Sequence, residues 1–529
     1  MEKLEKVCLK IMACIGALLL VFFLWYSWRY TMRLYYSEAI LDYRDNPALN
    51  LLFLAGVTVL VAITSRVSQA VSERALHVIA GVCALLVAAA GCTLAYCADI
   101  FTVADQAQIY MAADAFYTGE TDWLVDYEYF YMFPFQLGMA ELYALLFKIA
   151  GSSDYLVIGC AQAVATGVTV YTGFRITREL FRNKKAESTY LICALGFLPL
   201  YTYCIYVYGE AFGICLLMLS VWFFLLANRE ANTKKRQVLY FALSTLFMTL
   251  AYVARRGFLV VWVAMVIMQL LICVKRRKGI SLVAVILMYL FMTLGQTASI
   301  QIAENLVGRE YDKACPTIMW VAMGFMDAMD GNMSGPGSYN DFNRLTYIDC
   351  NYDEKMAAGI AKDYIADRLG EWAHNPADMV RFFKEKTLVQ WNEPTYGAFA
   401  MTYFMDKPKE WVYRLYMDEE VSARVRGYLN HYQAVAYLAL FGYFILILRG
   451  KLDERQSFPG LIFLGGFCLS MLWESKSRYV YPYMVMILPC VAGSLVFYTD
   501  RLGEVVKGCG KRVKGRLQNK QGKEEIKHV

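Results

Sequence analysis

Runs of roughly twenty apolar residues recur along most of this chain, and that is the length a helix needs to cross the hydrocarbon core of a bilayer. Twelve are read, at residues 8–28, 49–65, 77–98, 154–174, 187–206, 209–227, 238–254, 257–274, 280–299, 432–448, 458–473 and 480–499. Inside a bilayer no water can pair the backbone, so each run is expected to be a helix. Composition closes off the soluble alternative. Of 529 residues 58% are hydrophobic and 15% aromatic, against 19% charged, too apolar for a soluble domain of this size. The expected fold is an all-α polytopic membrane protein with about 12 transmembrane helices. The first run exceeds a signal-peptide core and has no small-residue cleavage site, so it reads as an uncleaved span.

Charge then gives orientation. The short loops FRITRELFRNKK, NREANTKKRQ, VKRRKG and RGKLDERQ are basic and fall on one face of a twelve-span count. That face is read as the cytoplasm, with both termini on it, in a multi-pass plasma-membrane protein. Arg29, Arg33 and Arg44 go against the count and make the first hairpin its weakest part. The tail has nine Lys or Arg against three Glu, the composition of a disordered cytoplasmic end near anionic membrane lipid. The net charge of +6 lies in such loops and tail and is no nucleic-acid signal.

The chain divides into N-terminal transmembrane helices (1–98), a first extracytoplasmic loop (99–153), a transmembrane core (154–299), a large extracytoplasmic loop (300–431), C-terminal transmembrane helices (432–500) and a basic tail (501–529). Both outer loops are expected to be structured. Residues 134–150 read as an amphipathic helix lying along the outer membrane surface. In the large loop, 352–372 and 376–391 read as helices around a Gly-rich turn, GNMSGPGSYND. Most of the fifteen Cys sit in apolar runs, where they act as small hydrophobes. Cys315 and Cys350 share the large loop and could pair there. With four His and no CxxC spacing, nothing in the sequence assigns a metal site, and no cofactor is predicted.

Chemistry is sought first in residues 99–136. This stretch has seven acids and no Lys or Arg, and none occurs between Arg74 and Lys148. TVADQAQIYMAADAFYTG reads as a helix: Ile109, Ala112, Ala113 and Phe116 share a face and Gly119 ends it. Two roles fit its Asp105. Thr102 and Asp105 have the spacing of a capping box, and an acid in the first turn favours the helix dipole. The same dipole keeps a carboxylate ionised, as a general base requires. Asp114, Asp122 and Asp126 read as solvated charges. Gln136, which closes the stretch, is a candidate substrate contact.

Arg255 and Arg256 in YVARRGF interrupt apolar sequence at an outer boundary, where paired cations oppose the positive-inside bias. Arg presents a planar fork to phosphate oxygens; snorkelling to headgroups, or pairing with Glu210 of YGE, is the plainer role. Glu210 itself could support the base, bind acceptor hydroxyls or pair with these arginines. WESKSRYVYPY places Glu474, Lys476 and Arg478 at another outer boundary. It reads either as an interfacial aromatic belt or as the second half of an anion site, with Tyr479 and Tyr481 stacking on sugar.

In order, these features are an early loop Asp, a Tyr-rich run to a Pro-opened helix ending FKIAG, YGE, RRG and a late E-x-x-x-RY-x-x-P. That order resembles the GT-C superfamily of membrane glycosyltransferases, in particular the bacterial protein O-mannosyltransferase and aminoarabinose-transferase-like (family 39-like) group. PTIMWVAMGF and VQWNEPTY are similar to segments of that group's large outer loop, and the resemblance spans most of residues 99–482. It implies a GT-C-like fold and an enzyme taking sugar from a polyprenyl-phosphate donor at the outer face, for a glycan, lipid or protein acceptor. Asp105 matches the family's catalytic aspartate, Glu210 a second acid, and Arg255 or Arg256 a basic phosphate contact. Glu at the second acidic position and two extra N-terminal spans depart from the pattern. Two rivals come from other classes. A polysaccharide polymerase or ligase would lean on an outer-loop cation such as His374 or Arg381; a lipid or glycan transporter would need repeated halves and midplane charges, which the sequence lacks.

Overall fold

The computed structural model describes residues 2–35, 39–125, 128–276, 280–327, 335–402 and 404–525. Asp126 and positions 331–334 of the Gly-rich turn lie outside them. The described chain is almost wholly helical. Ten helices are long and apolar enough to cross a membrane, and eleven if the bent pair Lys184–Gly196 and Pro199–Ile205 counts as one span. The 59° bend of that pair falls where Pro199 cannot donate to the preceding turn. The twelfth expected run is the helix Glu454–Leu472. Its first turn, with Glu454, Arg455 and Gln456, leaves too little apolar length to count as a span.

The structure adds to the sequence reading at two places and corrects it at a third, the tail. Residues 29–48 contain an antiparallel hairpin, Tyr30–Tyr35 with Ala39–Arg44, in which Tyr30 lies opposite Arg44; aromatic and β-branched residues fit a pleated strand. Arg29 lies over Trp25, 3.4 Å from the ring centroid. The basic tail, read as disordered, is helical over its described residues, for the last helix runs over Tyr481–Glu525. Cys315 and Cys350 are two free thiols buried in one apolar cluster.

Three of the four basic loops meet at one end of the bundle. Buried Glu179 takes Arg229 Nε at 2.8 Å and has Arg455 at 4.0 Å, while Lys185 reaches Asp500 at 2.8 Å. The helix Tyr155–Phe181 carries Glu179 in its last turn. At its other end the Tyr155 hydroxyl lies 2.8 Å from Thr102 Oγ1, three residues before Asp105. At 1.5 Å per residue that helix separates the two regions by about 40 Å. Asp105 and the basic loops are therefore at opposite ends.

Within the 300–431 segment the helices Glu354–His374 and Pro376–Trp391 form close to where the sequence puts them. The run QWNEPTY between the second helix and the next span is a clasp. Asn392 donates to Phe23 O at 3.2 Å, and buried Glu393 accepts Thr395 Oγ1 at 2.6 Å and Gly397 N at 2.7 Å. The helix Leu137–Ala150 has 14 residues, too few to cross a bilayer. It buries one face on Ala104–Thr118 and exposes Leu145 and Ile149, as an amphipathic helix should.

Glu141 of that helix is half-buried and accepts Ser299 Oγ at 2.8 Å. Burial pushes its carboxyl up to about 7, and the Ser299 bond only partly opposes this. The raised value means that stability is fully present below the ordinary carboxyl range and lost as pH rises through about 7. Glu141→Gln, which still accepts from Ser299, should raise Tm at about pH 8 and leave it unchanged at about pH 4. Thermal unfolding of the purified protein at both pH values checks this.

Candidate active site

The acidic stretch begins where the helix Glu73–Ala98 ends. Asp99 closes that helix in the left-handed region, and the next residues run extended, with Ile100 bridged to Met405. The helix Ala104–Thr118 then buries Ile109, Ala112, Ala113 and Phe116, and Gly119 closes it with its N–H on Ala115 O. Its start differs from the expected capping box. Val103 is the N-cap, no side chain caps the helix, and Thr102 is turned to Tyr155. Asp105 is therefore not half of a reciprocal cap. It is half-buried in the first turn, directly after Ala104, whose φ is +48°. A left-handed alanine costs on the order of 1–3 kcal/mol, and such strain gathers at functional sites.

Gln106 fixes what faces Asp105. It is buried, and its Oε1 accepts Val207 N at 3.0 Å, holding the 206–209 turn against the start of the helix. Tyr129 is a second phenol beside them: burial first, then the Tyr208 hydroxyl and the Asp105 charge, hold it well above the usual range. Burial and Asp105 do the same to Tyr208. Gln136 Nε2 donates to the Tyr208 hydroxyl at 2.6 Å.

Cations close the other side of Tyr208. Gly209, at φ +90°, makes the turn that opens the helix Glu210–Ala227; a Cβ there would lie 2.8 Å from Met139 Sδ. Glu210 is fully buried, and Arg255 Nη1 donates to its Oε1. Arg478, 5% exposed, donates to the Tyr206 hydroxyl. Its guanidinium carbon is 4.6 Å from the Tyr208 centroid and 5.3 Å from that of Tyr479. Arg255 stands over the same two rings at 5.9 and 5.5 Å. Beside them, Glu474 is buried, pairs with Lys476 at 3.0 Å and accepts the Tyr479 hydroxyl at 3.3 Å. Lys476 lies 5.2 Å from the Tyr339 ring. The Tyr339 phenol is raised by burial and then by the charges of Asp341, Asp105 and Glu474.

The structure thus brings together Asp105, Gln136, Glu210, Arg255, Glu474, Arg478 and Tyr479. Arg256 goes elsewhere: it is exposed and lies 4.9 Å from the Phe135 ring. Tyr481 is buried and stacked on Tyr203 at 4.1 Å, leaving no open face for a sugar. Sequence reasoning missed Tyr129, Tyr206, Tyr208 and Tyr339. The alternation YVYGE was a usable signal for Tyr206 and Tyr208, since every second residue shares a side in extended chain. Among the described residues no three His, Cys, Asp or Glu side chains gather closely enough to hold a metal ion. Chemically, the cluster offers one accessible carboxylate, two guanidiniums sharing two aromatic rings, and hydroxyl and amide donors between them.

No family model and no curated protein matches the sequence. Solved structures do. An oligosaccharyltransferase from Archaeoglobus fulgidus, crystallised in the apo form, matches with a TM-score of 0.40 and 13% identity over 82% of this chain and 52% of its own. The same organism's oligosaccharyltransferase AglB, in complex with an inhibitory peptide and a dolichol-phosphate, matches at 0.41 and 14% over 82% and 51%. This chain spans about half the length of those proteins.

The buried ion pair makes a sharp stability test. Arg255→Met strips the hydrogen-bonded cation from a fully buried Glu210 and should cost about 3–5 kcal/mol. Adding Glu210→Gln should recover much of that loss. Chemical or thermal unfolding of both variants in the same detergent provides the comparison.

Proposed function

We propose that this protein is a membrane glycosyltransferase of the O-mannosyltransferase and aminoarabinose-transferase-like group. It moves a sugar from a polyprenyl-phosphate donor to a glycan, lipid or protein acceptor on the outer face of the plasma membrane. One observation carries the reading: the guanidiniums of Arg255 and Arg478 both stand over the Tyr208 ring, and the Asp105 charge helps to raise the phenol of that same side chain. The reading takes Asp105 as the proton acceptor and the two arginines as the binding place for a departing anion. The outer placement is supported by three basic loops, which gather at the opposite end of the bundle and belong in the cytoplasm.

The reaction is a single displacement. An acceptor hydroxyl oxygen attacks the anomeric carbon and passes its proton to the Asp105 carboxylate. The bond from that carbon to the lipid phosphate breaks, and the phosphate leaves with the electron pair. Arg255 and Arg478 stabilise the charge it gains, in a site where burial strengthens each interaction. Attack from the opposite side inverts the anomeric centre. Glu210 holds Arg255 in place, Gln136 and Tyr129 orient Tyr208, and Glu474 with Tyr479 shapes the wall beside the arginines. Arg256, outside the cluster, is left for lipid headgroups.

The test is a purified protein supplied with a panel of radiolabelled polyprenyl-phosphate sugars, scoring release of the lipid phosphate. Asp105→Asn should lower transfer by at least about a hundredfold while keeping expression and donor binding. An active Asn variant would sink the assignment.

A further inference from the structure

Two long helices end just before the site residues, and in both the leftover carbonyls are taken by the 300–431 segment. After Glu73–Ala98, which leads to Asp105, Lys409 N donates to Cys97 O at 2.8 Å and Asp406 N to Asp99 O at 3.0 Å. After Glu454–Leu472, which leads to Glu474, Arg478 and Tyr479, side chains do the same work. Gln390 Nε2 donates to Ser470 O at 2.9 Å, and Lys386 Nζ to Met471 O at 3.0 Å and Trp473 O at 2.8 Å. The third Lys386 proton goes to Gly324 O. Trp391 Nε1 adds a bond to Ser470 Oγ at 2.9 Å.

Lys386 is the unusual member. It is fully buried, and burying an ammonium costs several kcal/mol, whereas a methionine would fill the same space without that cost. What the lysine adds is three donors and a positive charge at the negative end of a helix. Its partners leave no slack. A Cβ on Gly324 would lie 2.6 Å from Leu472 O, and Trp320 stacks on Trp473 at 5.9 Å.

We infer that Lys386 is a positioning residue of the site. It caps Glu454–Leu472 from a neighbouring helix, fixes the Glu474–Tyr479 turn, and so sets where Arg478 stands relative to Asp105. The inference rests on reading Arg478 as part of the donor-phosphate site, and the experiment separates the two.

Binding of a polyprenyl monophosphate to the full-length protein in nanodiscs is measured for wild type, Lys386→Met, Arg478→Ala and the double variant. Each single change should weaken binding by about tenfold, and the double should be no weaker than Arg478→Ala alone. A general loss of stability would instead multiply the two effects, and that result overturns the role of Lys386. So does wild-type affinity in Lys386→Met while Arg478→Ala is weakened. Wild-type affinity in Arg478→Ala overturns the donor-site reading itself. If Lys386→Met does not give a monodisperse protein, Gln390→Leu decides, since it removes one bond of the same cap. A loss of about twofold to fivefold supports the inference, and unchanged binding refutes it.

Discussion

A carboxylate with no access to water can remain charged only if the fold brings it a cation, and Glu210 imposes that requirement here. Arg255 meets it from the end of a different helix, so the starts and stops of two spans are fixed against each other. The Gly209 turn and the Tyr206–Tyr208 segment follow from that contact. They have to lie where Met139 and Ala254 leave room for a residue without a side chain. Arg478 then enters a space already lined by phenols, where ring faces and the Tyr206 hydroxyl replace the water it gives up.

The second organising device is the exchange of backbone partners between the 300–431 segment and the helical bundle. That segment supplies a strand-like edge to residues 99–101, a buried lysine and glutamine to another helix end, and a clasp to the first helix through Asn392. A loosely packed cover would leave those helix ends to solvent. Here orphan groups at two helix ends are satisfied by one segment, which makes it part of the frame.

Much of this was legible in the sequence. The apolar runs gave most of the spans. The face Ile109, Ala112, Ala113 and Phe116 is buried as its spacing required, and Pro376 opens the helix it announces. The site was legible as a set of charges but not as an arrangement. Arg255 and Arg256 are adjacent and alike; only the extended backbone of Arg255, at φ −159°, sends one inward and leaves the other outside. Tyr129, Tyr208 and Tyr339 come from three distant segments, and no local pattern links them. The tail misled because its charge argued for disorder. Lys, Arg, Gln and Glu are also good helix formers, and a tail that continues an existing helix has no nucleation cost to meet.

That continuity has a practical side. The helix Tyr481–Glu525 starts two residues after Tyr479, and at 1.5 Å per residue it is about 67 Å long. It runs as one helix, with Pro489 inside it, from the aromatic cluster towards the far end of the bundle. A fluorophore or spin label on the exposed stretch near Leu502, Val505 or Val506 would sit on the helix that follows the arginine-bearing turn. Reorientation of that turn during a catalytic cycle could then be followed from a position that touches neither substrate nor any side chain of the site.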